Sequence, residues 1–196
     1  MEQDLTPEQS LKLIESMIGQ AKKSFHRMSF YFLLWGVLLT LAMASQLLAV
    51  QLGWHGKYIG MFWVGASILG GIASAVHGFR EGKREHVETL ADRVLMWLWI
   101  GFMITLFATI AGAGVAGYTT PVGSIMLLTG LPTFITGQMI KFKPLIIGGI
   151  LFWVLGTISF FADPLWIGIL NITGMLFGYI IPGFMLQRQE NGLRTA

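Results

Sequence analysis

The feature that most constrains this chain is a series of long apolar stretches almost free of charge. A helix crossing the hydrocarbon core of a bilayer, about 30 Å thick, needs about 20 mostly apolar residues. Six stretches meet that requirement, at about residues 29–52, 58–79, 94–116, 122–140, 145–162 and 165–186. Runs such as Leu145-Ile146-Ile147-Gly148-Gly149-Ile150-Leu151-Phe152-Trp153 lack the apolar/polar alternation of a membrane β-strand. The predicted fold is therefore all-α: a polytopic membrane helix bundle of six transmembrane helices (29–188) arranged as three hairpins. An amphipathic cytoplasmic helix over 1–28 precedes the bundle, and a short cytoplasmic tail over 189–196 follows it.

Composition excludes the main alternatives. The 196 residues are 54% hydrophobic and only 12% charged, about half the charge of an average soluble domain. Disorder requires low hydrophobicity and high charge, and a soluble globule could not cover so much apolar surface with so few charges. The absence of cysteine excludes a disulfide scaffold, a Cys-ligated zinc site and a thiol enzyme. Glu2 and Asp4 stand where a signal peptide would be basic, and no apolar run begins before about Met28, so no cleaved signal is expected.

Orientation follows from the basic residues. With the N-terminus placed in the cytoplasm, twelve of the thirteen Lys and Arg fall on the cytoplasmic side and Lys57 alone falls outside. The positive-inside rule then puts both termini in the cytoplasm. The net charge of +3 is read as a topology signal and an attraction to anionic headgroups, so the lipid bilayer is the first partner. No basic stripe with interleaved aromatics points to nucleic acid. Trp54, Tyr58, Tyr118 and Trp166 fall near the outer boundaries, as an aromatic belt would. The outer connections, 53–57, 117–121 and 163–164, are short, which leaves the bilayer interior and the cytoplasmic face as places for function.

Small residues recur at four-residue steps: Ala66, Gly70, Ser74 and Gly78; Ala108, Gly112 and Ala116; Gly174 and Gly178. That step keeps them on one helix face, where they let backbones approach closely in lipid. Packing within the chain is the first reading and a homodimer face the alternative. Pro132 and Pro182 fall inside spans and predict kinks.

Two cytoplasmic elements stand out. Thr6-Pro7-Glu8-Gln9 is a helix start. Leu11, Ile14, Ile18, Ala21, Phe25 and Met28 then form one apolar seam. Such a helix can lie on the membrane surface, pack under the bundle or bind a partner helix. Residues 80–93 alternate in charge, and Arg84 with Glu88 can pair at a four-residue step. Leu11, Ile14, Ile18, Phe25, Arg84 and Glu88 are the candidate surface for a cytoplasmic or membrane protein partner.

Catalytic signatures are missing. The sequence shows no carboxylate pair at membrane depth, no H-E-x-x-H, no Walker A loop and no G-x-S-x-G. No cofactor or metal motif is legible, although His26 and His77 lie at the same ends of the first two spans and could in principle act as axial ligands to haem. Gln138, Asn171, Thr129, Thr133 and Thr136 are the polar residues best placed to line a cavity. Gln46, Thr105, Thr109 and Thr173 belong to the same set of polar residues placed to face a cavity. Their ordinary role would be interhelical hydrogen bonding.

The segment Ser10-Leu11-Lys12-Leu13-Ile14-Glu15-Ser16-Met17-Ile18-Gly19-Gln20-Ala21-Lys22, running into an apolar span with Trp35-Gly36, resembles the opening of small multi-spanning inner-membrane proteins of Bacteroidota. The likeness covers roughly the first forty residues. It implies a bacterial inner membrane and brings no catalytic or ligand residue with it. The resulting expectation is a non-enzymatic protein acting through cytoplasmic-face contacts. A small-solute transporter or channel lined by the fourth span is the alternative, and an intramembrane enzyme or haem protein comes third.

Overall fold

The computed structural model describes residues 28–54, 56–82, 90–116 and 121–195. The described residues form helices joined by short turns, with no strand among them. The helices are α1 (Met28–Gln51), α2 (Gly56–Gly82), α3 (Leu90–Ala116), α4 (Val122–Met139), α5 (Lys143–Ser159), α6 (Pro164–Met175) and α7 (Ile181–Thr195). A π-helical turn, Leu176–Ile180, joins α6 to α7 without a break. α1, α2, α3, α4 and the continuous α6–α7 helix are long and apolar enough to cross a membrane. α5, with 17 residues, is a shorter apolar helix of about 25 Å. These helices are what an integral membrane protein requires. The predicted amphipathic helix over 1–28 lies outside the described residues apart from Met28. The segment 189–195 is a helical continuation of the last span.

α1, α4, α5 and the α6–α7 helix form the centre. α2 lies against α1, and α3 lies mainly against α4. Each predicted hairpin pair is in contact, yet the most extensively packed pair is α4 with α5, which belong to different predicted hairpins. Glycine explains this. Gly123, Gly130 and Gly137 repeat at seven-residue steps along α4, and Gly149 and Gly156 do so along α5. A Cβ on Gly137 would lie 2.7 Å from the Ile146 nitrogen, and one on Gly149 would lie 2.7 Å from Phe134 Cα. A Cβ on Gly130 would meet the Gly149 oxygen at 2.9 Å and the Trp153 ring at 2.5 Å. The two backbones therefore touch, and dispersion between close surfaces holds them where lipid supplies no hydrophobic drive.

The turn between these helices is short and well bonded. Phe142 N donates to the Gly137 carbonyl at 2.9 Å and Lys141 N to the Gln138 carbonyl at 3.2 Å. This pattern closes the C-terminus of α4. Lys141 takes a left-handed φ of 54° to make it, a conformation more often given to glycine. The same motif ends α1, where Gly53 has φ 71° and Trp54 N reaches the Ala49 carbonyl at 2.9 Å.

The small-residue stripes divide into two groups. Gly70 seats the Trp35 ring, whose nearest atom would be 2.9 Å from a Cβ, and Gly78 faces the Tyr31 hydroxyl at 3.5 Å. Gly174 and Gly178 both seat the Phe152 ring. Gly112 is a correction to the intrachain packing reading. It is exposed and has nothing within 4 Å of a Cβ, because α3 sits at the edge of the bundle and this face points away from it.

The glycine geometry predicts a contrast. Gly137→Val should lower the unfolding free energy by about 1–3 kcal/mol, the usual cost of overpacking. Gly112→Val should stay within about 0.5 kcal/mol of the parent. Reversible unfolding in mixed detergent micelles measures both.

Candidate functional site

The candidate site is the polar interior, built where α4, α5 and the π turn meet. Thr129, Thr133 and Thr136 share one face of α4, and all three are buried. Threonine at membrane depth must find an acceptor, and in a helix the nearest is the carbonyl four residues back. Thr129 Oγ1 donates to the Ile125 carbonyl and Thr133 Oγ1 to the Thr129 carbonyl, each at 2.7 Å. Thr133 Oγ1 also lies 3.4 Å from the Tyr179 hydroxyl. Thr136 Oγ1 is buried without a partner. It stands four residues after Pro132, the helix-interior proline of α4.

Tyr179 is the residue that sequence reasoning missed. It sits in the π turn, is buried, and packs edge-on against Phe32 and Phe152, with ring centroids 5.2 Å apart in both cases. α1 approaches the same turn through Gly36, where a Cβ would be 2.8 Å from Ile180. Its sequence signal was the Gly178-Tyr179 pair four and three residues before Pro182. A proline within a span marks a place where helix register can change.

Asn171 is buried on α6, and its Oδ1 has no hydrogen-bond partner. It lies one turn from Gly174, which faces Met126 near the start of α4, whereas Thr136 lies in the last turn of α4. The structure thus brings Thr133 to Tyr179 but does not bring Asn171 to Thr136. Gln138 is exposed at the end of α4, a correction to its reading as a cavity residue: the next turn of chain carries its side chain outside the core. Gln46 accepts a 2.5 Å hydrogen bond from Trp63 Nε1 and links α1 to α2. Thr105 and Thr109 bond back to the carbonyls of Gly101 and Thr105 on α3.

At the Ser29 end a second polar contact was also missed. Glu190 is buried. Its carboxylate accepts the Ser29 amide at 3.3 Å and the Ser29 hydroxyl. An acidic group beside the amides near the start of a helix is favourable. The only sequence hint was a carboxylate ten residues beyond the apolar run around Ile180, and a charge there reads as solvated.

His77 stacks on Phe30 with centroids 4.0 Å apart and meets Tyr31 edge-on at 5.5 Å. Its Nε2 is buried without a partner, as is Ser74 Oγ one turn away. His26, the proposed second haem ligand, lies outside the described residues. So do Leu11, Ile14, Ile18, Phe25, Arg84 and Glu88. Among the described residues no group of three or more His, Asp or Glu side chains is placed to hold a metal. Two open apolar hollows lie on the outer faces of α2 and α3, the latter lined by Met96, Trp99, Ile100, Met103, Ile104 and Phe107.

Compared with protein-family models, curated proteins and solved structures, the chain finds no match.

The geometry sets an order for substitutions. Asn171→Leu removes a buried, unpartnered polar atom and should leave the bundle as stable as the parent, or more stable by about 1 kcal/mol. Thr133→Val removes a bonded hydroxyl and should cost about 0.6 kcal/mol. Thermal unfolding of the two variants in lipid nanodiscs checks the order.

Proposed function

We propose that this chain is a six-span protein of a bacterial inner membrane, with both termini cytoplasmic. In this reading it is not an enzyme and acts through protein contacts on its cytoplasmic face. One observation carries the choice. The core of the bundle is filled by Phe152, Met126, Leu145 and Thr133, all fully buried, and the Thr129 and Thr133 hydroxyls are turned onto their own helix. A conduit for polar solutes requires polar groups facing a wet path. Here the interior joins helices instead. Extramembrane mass on the expected cytoplasmic side, 1–27 and 80–93, then becomes the place for a partner.

The runner-up is a small-solute transporter. The unpartnered oxygens of Thr136 and Asn171 favour it, since buried polar atoms without partners mark places where a ligand or water can be held.

Reconstituted proteoliposomes separate the two. The contact reading predicts solute flux equal to that of protein-free vesicles, together with loss of a crosslinked, co-purifying protein when residues 11–25 are removed and the bundle stays folded. Flux that Asn171→Leu or Thr136→Val abolishes would establish transport instead.

A further inference from the structure

We propose that α7 is a hinged arm. It pivots at the π turn and is held in the observed position by Glu190 latched to Ser29. This inference stands apart from the contact reading and does not depend on it.

The pivot is built from backbone irregularity. Across Leu176–Ile180 the helix is over-wide, and the Ile181 amide bonds the Leu176 carbonyl five residues back. Pro182 follows at once and supplies no amide to the ladder. A π turn beside a proline is a place where the two halves of a helix can change angle with little loss of bonding.

The surfaces around the pivot are smooth. α1 presents Gly36 to Tyr179 and Ile180, and α5 presents Gly148, whose Cβ would lie 2.7 Å from the Gly178 oxygen. Gly178 itself lies under the Phe152 ring. At Gly148 the contact is backbone on backbone, so nothing projects from α5 into the turn there, whereas Ile180 and the Phe152 ring sit over Gly36 and Gly178. Tyr179, held by Thr133, Phe32 and Phe152, fixes the axis of the joint while leaving α7 beyond it.

Ten residues further on, the arm is tied down. Glu190 accepts both the amide and the hydroxyl of Ser29. Between pivot and latch the arm is seated by Gly183 against Leu33 and by buried Leu186. Hydrogen bonds to a charged acceptor are stronger than neutral ones, so the latch contributes strongly to holding the far end.

The full chain in nanodiscs tests the hinge, and its lack of cysteine makes paired spin labels simple to place. Labels at Lys143→Cys and Gln187→Cys report the arm, and labels at Ile147→Cys and Ile169→Cys report the fixed part. In Glu190→Ala the arm pair should gain a second, longer distance while the fixed pair keeps one. Amide exchange over 183–192 should rise about tenfold or more, with α6 unchanged. Ser29→Ala, which removes only the hydroxyl donor, should raise exchange in the same amides by a smaller factor. An unchanged arm in both variants overturns the proposal. So does loosening that spreads equally through the fixed pair.

Discussion

Everything in this bundle depends on how closely two helix backbones can approach in a medium that gives them no hydrophobic reason to associate. Lipid tails solvate leucine as well as another helix does, so association rests on dispersion and on a few polar contacts. Here the closest approach lies along Gly123, Gly130 and Gly137 facing Gly149 and Gly156. A side chain at most of these positions would force the pair apart. The α4–α5 pair then acts as a wall, with α3 on one side and the π turn and its flanking helices on the other.

The polar chemistry follows from that tightness. A hydroxyl on an apolar helix has few other acceptors within reach, and most threonines in the described helices, outward-facing as well as buried, turn back to the carbonyl four residues earlier. Thr133 is shared with Tyr179 across the helices. Pro132 in α4 and the π turn before Pro182 lie at one level of the bundle, linked by that contact. The α6–α7 helix departs from α-helical geometry there, and α4 lacks the backbone donor that Pro132 cannot supply.

The sequence made the spans legible because helix-length apolar runs and the scarcity of charge need no tertiary information. It also pointed to Gly70, Gly174 and Gly178 as close-approach positions, since a four-residue step defines a face. The same step misled at Gly112, because a stripe shows that a face is smooth and not whether a neighbour covers it. The α4–α5 seam repeats every seven residues, at Gly123, Gly130 and Gly137, a spacing that a four-residue step does not contain. Asn171 and Thr136 shared a polar character but not a depth, and depth emerges only once helices are packed. Glu190 was unreadable for another reason: a terminal carboxylate becomes a latch only when α1 and α7 end together.

On the proposed reading the core of this protein is closed to water and the protein acts through its surfaces. A single cysteine at Thr133→Cys tests this most directly, because the parent chain has no other thiol. In proteoliposomes treated from both sides with a membrane-impermeant thiol reagent, a closed core leaves this position unmodified, with Gln187→Cys, on an exposed residue, as the reactive control. Modification of the Thr133→Cys protein at a rate near that of the control would contradict it and show a water path through the bundle.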